Sequence, residues 1–264
     1  LFALALGKTR GLNDMSWAGL NMAALLNVLY LPYPNGDTLQ IFQKQLTGVA
    51  FPLNGPAWSL FFALVANILY ARLIRSGTAW AAAVVLVSAV TLVVAGLGLG
   101  EAPGWSTTNL GGGLPRVTFA FFVGVGLYQL RPVLDRLPSL PGWLVAGFAL
   151  AMLSIPRFDG HIFYWLFCAV AIVPALVALA AGPARVEAPW AVRLCEYSGS
   201  LSYAIFCIHY PVLMLFAMGF ADSVSVSMLV AYVATTLALS HVLHRYVERP
   251  VRRWLSFNPG MVKP

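Results

Sequence analysis

Long apolar runs alternate with short breaks that are polar or rich in proline and glycine along this 264-residue chain. A helix needs about 20 apolar residues to cross the hydrocarbon core of a bilayer. By that measure the pattern predicts an all-α, polytopic transmembrane helix bundle with about eight spans. The predicted spans cover residues 16–31, 56–72, 79–99, 115–130, 142–155, 161–182, 198–218 and 226–244.

The composition makes a soluble protein untenable. Hydrophobic residues make up 60% of the chain and charged residues only 9%, with a mean hydropathy of +0.80. Soluble domains carry about 25% charged residues. We therefore expect the lipid bilayer as the partner and no nucleic acid, because a net charge of +7 is typical of basic cytoplasmic loops. The three cysteines lack CxxC spacing, so neither a disulfide framework nor a metal site is predicted.

The basic residues predict the orientation of the spans. Alternate loops hold 13 of the 16 lysines and arginines, and such loops are usually cytoplasmic. This places both ends of the chain inside, with 245–264 as a basic cytoplasmic tail. The 13 are Lys8, Arg10, Arg72, Arg75, Arg131, Arg136, Arg185, Arg193, Arg245, Arg249, Arg252, Arg253 and Lys263. The outer set holds Lys44, Arg116 and Arg157, and the outer loop 31–55 contains IFQKQL, predicted as a short interfacial helix.

The first residues, LFALAL, are too few to cross a bilayer and lack the flanks of a signal peptide. They look like the end of a helix whose start lies upstream. We therefore expect an N-terminally truncated chain.

A polar stripe runs through the predicted span 56–72. Ser59, Ala63 and Asn67 fall within about 80° of one another on a helix. Such a face points into a protein interior or a watery cleft, with Trp58 near the outer interface. Packing between helices and an aromatic belt explain the same residues equally well.

A second polar site lies in SGSLSYAIFCIHYPVLML, residues 198–215. His209 sits near the middle of the apolar run, and Ser202 shares its helix face. Pro211 cannot donate a backbone hydrogen bond, so we expect the carbonyl of Cys207 to be left free beside the imidazole. His209 then serves either as an acid or base, or as a neutral histidine bonded to a neighbouring helix.

Two further charged residues stand out. Arg116 opens a span from the outer side, where it can extend to the surface or reach inward to an anionic group. Glu248 lies in the basic segment HRYVERPVRRWL and is expected to pair with Arg245 or Arg252. His241 and His244, near the inner interface, need no special role.

Four segments, in order, resemble motifs of one family. They are GPAWSLFFALVANILYA, PRVTFAFFVGVGLYQLR, GSLSYAIFCIHYPV and YVERPVRRWL, which span residues 55–255. The first resembles the "WSL…E…" helix of the acyltransferase 3 family, integral-membrane enzymes that modify bacterial surface sugars. The others resemble its arginine-led helix, its "G.LSY.IYL.H.P" helix and its closing "E.P.RR" element.

The resemblance implies transfer of a short acyl group, such as acetyl, from acyl-CoA to a hydroxyl of a cell-surface or lipid-linked carbohydrate. It implies a multi-pass protein of the bacterial inner membrane with a cytoplasmic C-terminus and no bound cofactor or metal. His209 and Tyr203 are the catalytic candidates. The candidates for substrate binding are Trp58, Ser59, Asn67, Arg116, Ser202 and Glu248.

Two departures leave alternatives open. Ala63 stands where the family commonly has a glutamate, and the family's essential histidine lies on helices upstream of residue 1. The chain is therefore interpreted as one acyltransferase-3-like membrane domain over 1–264, truncated at its N-terminus and either active or inactive as this fragment. A proton-coupled transporter of a sugar-linked or anionic solute is the main alternative, since carriers also place polar groups at broken helices. A non-catalytic membrane scaffold is the third.

Overall fold

Helices dominate the chain, which confirms the all-α class. The computed structural model describes residues 1–42, 44–73, 79–136, 141–180, 189–219 and 225–256; it is 75% helical. Arg75, Arg185, Lys263 and the predicted tail beyond residue 256 lie outside these residues. The helices are α1 (Phe2–Thr9), α2 (Trp17–Val28), α3 (Ala57–Leu73), α4 (Ala79–Leu99), α5 (Gly113–Gln129), α6 (Arg131–Leu134), α7 (Gly142–Leu153), α8 (His161–Phe167), α9 (Val173–Ala180), α10 (Pro189–Gly219), α11 (Val226–Leu243) and α12 (Arg249–Ser256); the strands are β1 (Thr38–Ile41) and β2 (Lys44–Thr47).

Five helical stretches in the described residues are long and apolar enough to cross a membrane. Three shorter apolar helices, α2, α3 and α7, coincide with three further predicted spans. The number of candidate spans therefore differs from the predicted eight, although all eight apolar segments are helical. One π-helical turn joins α8 to α9 and another joins α11 to α12, so each pair forms one continuous rod. The five stretches are Trp80–Leu99, Leu110–Gln129, His161–Ala180, Pro189–Gly219 and Val226–Trp254.

The chain divides into two compact units. Unit 1 comprises Leu1–Ala57 and Trp190–Pro264, and unit 2 comprises Trp58–Pro189. In unit 2, α4 packs along α5, and Leu92, Phe119 and Leu166 form a buried cluster between α4, α5 and α8. These long runs bury large side chains on one face and leave the others exposed, as expected for helices whose solvent is lipid.

The segment 16–31 forms a helix that is shorter than the predicted span. In unit 1, α2 has only 12 residues, about 18 Å of helix. The segments on either side of it meet: Asn13 forms a β-bridge with Leu39, and the backbone N–H of Thr38 donates to Asp14 Oδ1 at 2.6 Å. Helix α2 buries Leu20 and Ala23, whereas Trp17, Met22, Leu25 and Val28 are exposed.

Arg10 contacts the C-terminal end of α10. Its Nη1 donates to the carbonyls of Met218 and Gly219 at 2.9 and 2.8 Å. Cations are favoured there by the helix dipole and the unpaired carbonyls. The predicted topology puts Arg10 inside and that end of α10 outside, and this contact does not agree with both predictions. The other alternate loops keep their basic excess.

The predicted interfacial helix IFQKQL is wrong. Strands β1 and β2 form an antiparallel pair, with Leu39 opposite Leu46 and Gln40 opposite Gln45. Apolar and polar residues alternate in this stretch, which is the period of a strand rather than a helix. Leu39 is buried and anchors the hairpin to unit 1.

Candidate functional site

The course of the chain brings several helix ends to one side of unit 2. Helices α3, α5 and α8 begin there, whereas α4 and α7 end there. Hydrogen bonds confirm this grouping: Tyr164 Oη in α8 donates to the carbonyl of Met152 at the end of α7, at 2.8 Å. Connecting segments at such an end can carry function on a rigid scaffold.

Arg116 lies at the centre of this end. Its guanidinium carbon is 4.8 Å from the ring centroid of Trp58 and 4.9 Å from that of Trp165, both within the range of cation–π attraction. Its Nη1 donates to the carbonyl of Pro103 at 3.1 Å. No carboxylate of the described residues forms an ion pair with it. Arg116 is therefore a half-buried cation that keeps N–H donors available for a ligand.

The loop between α4 and α5 holds Trp58 in place. Gly104 has φ +122°, and a Cβ there would lie 2.7 Å from Trp58 Cζ3, so only glycine allows the loop to pass this close. Buried Asn109 accepts the backbone N–H groups of Gly104 and Ser106, each at 3.0 Å, and donates to Glu101 Oε1 at 2.7 Å. The loop is thus built around one asparagine and one glycine.

His161 is a candidate that the sequence reasoning missed. It opens α8, and its Nδ1 is buried with no hydrogen-bond partner. With Arg116, it lines an apolar cavity of about 370 Å³. The signal was present in the sequence, since a histidine begins the predicted span 161–182 on the same predicted side as Arg116. An imidazole nitrogen without a protein partner is available to a ligand or a proton.

The other two candidate residues of unit 2, Ser59 and Asn67, lie on α3. Ser59 follows Trp58 and is half-buried. Asn67 is exposed and donates to the carbonyl of Ala63 at 2.8 Å, which is the local back-bonding common for short polar side chains. Of the four predicted residues in unit 2, only Trp58 and Arg116 make a described contact with each other.

In unit 1, α10 corrects the expectation about Pro211. The helix continues through this proline without a break. The carbonyl of Cys207 is not free, because Asn54 Nδ2 donates to it at 3.4 Å. His209 Nδ1 lies 3.0 Å from the carbonyl of Ile205. Since a carbonyl only accepts, Nδ1 carries the proton and Nε2 is the nitrogen left for chemistry.

Tyr203 and Ser202 lie on the exposed side of α10. Tyr203 is 51% exposed, and Ser202 Oγ donates to the carbonyl of Gly199 at 2.7 Å. No described hydrogen bond joins either residue to His209, although all three lie on one helix in unit 1.

Glu248 forms a network that extends beyond the predicted pair. It pairs with Arg252 at 2.7 Å, as predicted, and also lies 2.9 Å from His244 Nδ1. Arg249 Nε donates to His244 Nε2 at 3.0 Å, so His244 is neutral and donates through Nδ1 to the carboxylate. His244 is buried, which overturns the expectation that it needs no special role. The π-helical turn His244–Glu248 places these groups on one face.

No group of three histidine, cysteine, aspartate or glutamate side chains in the described residues is arranged to hold a metal ion. The family model for an acyltransferase domain matches residues 15–245. The chain belongs to the acyltransferase 3 family. Searches of curated proteins and of solved structures gave no match. The match and the long apolar helices together establish a membrane acyltransferase.

The two arrangements suit different parts of acyl transfer. An acyltransferase must stabilise the negative charge that develops on the acyl carbonyl oxygen and remove a proton from the attacking group of the acceptor. In unit 2, Arg116 presents donors beside two indole faces. In unit 1, His209 presents an imidazole nitrogen whose tautomer is fixed by Ile205.

Proposed function

We propose that this acyltransferase moves a short acyl group, such as acetyl, from acyl-CoA to a hydroxyl of a cell-surface or lipid-linked carbohydrate. The protein would lie in a bacterial inner membrane with its C-terminus in the cytoplasm. The observation that carries the proposal is Arg116 held between Trp58 and Trp165 with N–H donors to spare. A guanidinium held in this way can donate its remaining N–H groups to sugar oxygens or to an attached anion.

Charge supports the assignment of the two sides. Arg116 and Arg157 lie at the predicted outer end, where a surface carbohydrate is found. At the predicted inner end, α12 and the turn before it carry Arg245, Arg249, Arg252 and Arg253. Arginine is well suited to the phosphates of CoA, so we assign the inner end to the acyl donor.

The proposal gives His209 the proton chemistry. Its Nε2 can accept a proton from the acceptor hydroxyl, or hold substrate, because Nδ1 is occupied by Ile205. Tyr203 and Ser202, one to two turns away on α10, are proposed to contact substrate. Glu248 would act by holding the arginines of the inner end.

The transporter alternative loses its main support. It depended on a helix broken at Pro211, as in carriers whose binding sites use discontinuous helices. Within the described residues α10 runs unbroken from Pro189 to Gly219. We therefore do not favour a carrier.

The test is acceptor-dependent release of CoA thiol by the full-length protein in lipid nanodiscs, supplied with acetyl-CoA and a series of glycosides. We expect thiol release, and we expect Arg116→Gln to lower kcat/KM by about tenfold or more, because a buried charged hydrogen bond contributes about 1.5–3 kcal/mol. Arg131→Gln is the matched control: this arginine is exposed and pairs only with Asp135 at 3.9 Å.

Each result has a clear meaning. Equal rates for Arg116→Gln and Arg131→Gln would remove Arg116 from the site. Normal acylation by His209→Ala at normal expression would remove His209 from the mechanism. Solute flux without thiol release would overturn the enzyme proposal in favour of a carrier.

A further inference from the structure

Two cavities in unit 2 share one wall. Arg116, His161 and Trp165 line both of them. The first cavity, of about 370 Å³, is bounded on its other sides almost entirely by apolar side chains. These include Leu92, Phe119, Met152, Leu153, Ile155 and Val173.

Exposed apolar residues are among those that line this cavity. Leu153 is 76% exposed, and Ile155 is 43% exposed. Both residues lie at the end of α7 or just after it, at the predicted outer end of the spans. The cavity thus has an apolar wall that a hydrocarbon chain can contact.

The second cavity has the opposite character. Its volume is about 390 Å³, and Arg157 and Glu101 line it together with Arg116 and His161. Glu101 accepts from Asn109 at 2.7 Å. The described charges of this cavity are thus two guanidiniums against one carboxylate, which leaves a net positive site suited to an anion.

The backbone adds to this preference. Arg116 lies in the first turn of α5, where the helix dipole disfavours a cation and favours an anion. A bound anion would pair with the arginine there. The ring of His161 lines the same cavity and supplies one more group that a phosphate oxygen can contact.

We infer that this pair of cavities binds an amphiphile with a phosphate head, the head at Arg116, Arg157 and His161 and the hydrocarbon chain in the apolar cavity. This inference rests on the proposed function, and it narrows the acceptor to a lipid-linked carbohydrate carried on a prenyl-type phosphate. A free polysaccharide would use the polar cavity alone and would leave the apolar one without a role.

The probe is radiolabelled farnesyl phosphate, bound to the full-length protein in phosphatidylcholine nanodiscs, with empty nanodiscs as background. We expect saturable binding above that background. Farnesol should compete at least about tenfold more weakly, which corresponds to about 1.4 kcal/mol for the phosphate contacts. Inorganic phosphate should compete more weakly still, because it lacks the chain.

Two variants separate the head from the chain. Arg116→Gln should weaken farnesyl phosphate at least about tenfold while leaving farnesol unchanged. Ala120→Trp places a large side chain into the apolar cavity that Ala120 lines and should weaken both. Leu86→Trp, at an exposed position of α4 outside both cavities, should bind like the unaltered protein, and a matching thermal transition for all variants checks that they fold.

Three results would overturn the inference: equal competition by farnesol, equal competition by inorganic phosphate, or unchanged binding in both Arg116→Gln and Ala120→Trp. Failure of the proposed function is distinguishable. Thiol release with a water-soluble glycoside but no farnesyl phosphate binding would reject the amphiphile and keep the enzyme. Specific farnesyl phosphate binding with no thiol release for any acceptor would keep the amphiphile site and reject the proposed acyl transfer.

Discussion

The guanidinium of Arg116 stacks on the indole of Trp58, 4.8 Å from the ring centroid. The two residues are 58 positions apart in the sequence, and they meet because α3 and α5 both begin at the same end of unit 2. Trp165, at the start of α8, closes the other side at 4.9 Å. These two contacts hold the Arg116 side chain in one geometry. The fold therefore sets the direction of its remaining N–H donors.

The second indole can be tested by substitution. Trp165→Leu removes one cation–π contact, which contributes about 2 kcal/mol when desolvated. We therefore expect kcat/KM for the acceptor to fall by about tenfold or more, with a smaller fall for Trp165→Phe, which keeps an aromatic face. Trp143→Leu is the matched control, because Trp143 is largely exposed on α7. Equal rates for the two leucine variants would show that the stack is not used.

The glycine at position 104 can be tested against a second left-handed glycine. Gly104→Ala combines a strained φ of +122° with a Cβ 2.7 Å from Trp58, whereas Gly11→Ala, at φ +69° in unit 1, meets open space. Both substitutions should destabilise through backbone strain, by about 1–3 kcal/mol. Only Gly104→Ala should also displace Trp58 and lower acyl transfer, measured as thiol release at saturating acetyl-CoA. Similar losses of activity in both variants would show that the loop acts through strain alone.

Asn109 can be tested by a double-variant cycle. Asn109→Asp keeps the oxygen that accepts from Gly104 and Ser106 but replaces the N–H₂ that donates to Glu101 with a second carboxylate oxygen. In the unaltered protein Asn109 Nδ2 lies 2.7 Å from Glu101 Oε1. We expect a lower thermal transition for Asn109→Asp, because two carboxylates then face each other at this position. Adding Glu101→Gln should restore most of the loss, since the new amide can donate to the aspartate. Additive losses in the double variant would contradict this account of the loop.

The sequence was sufficient for the fold class and the family because both depend on long patterns. Eight apolar runs and four ordered motifs do not require knowledge of any single contact. The same reasoning overestimated the helix at residues 16–31, where an apolar run of about span length contains a helix of only 12 residues. Composition alone does not show where a helix begins and ends.

The candidate site was predictable only in part, for a similar reason. Arg116 and Trp58 were selected because each is unusual in its own segment. Asn109 was missed because its importance depends on how the loop folds around it to reach Gly104, Ser106 and Glu101. His161 was missed because its importance depends on the cavities that it lines. Pro211 was misjudged because the carbonyl it leaves free is satisfied by Asn54 from a loop more than 150 residues away. Such compensation is a property of packing and is not visible in a single helix.

Glu248 predicts a difference in stability between two i, i+4 contacts of equal spacing. His244 and Glu248 side chains are 8% and 14% exposed, whereas those of Arg131 and Asp135 are 65% and 50% exposed. Glu248→Gln removes the charge that pairs with Arg252 and leaves one amide oxygen for two donors, His244 Nδ1 and Arg252. Losing a hydrogen bond to a charged group costs about 1.5–3 kcal/mol, whereas an exposed pair contributes about 0–1 kcal/mol.

We therefore expect Glu248→Gln to lower the thermal transition clearly and Asp135→Asn to leave it nearly unchanged, both measured in the same nanodiscs. A structural role alone would lower stability without changing the KM for acetyl-CoA in the protein that remains folded. The proposed donor side predicts in addition a higher KM for acetyl-CoA, because Arg252 loses the carboxylate that orients it. His244→Gln provides the comparison: its amide can still donate to Glu248, so it should retain more stability than Glu248→Gln. A KM that stays constant across all three variants would place the acyl donor elsewhere, even if the network proves essential to the fold.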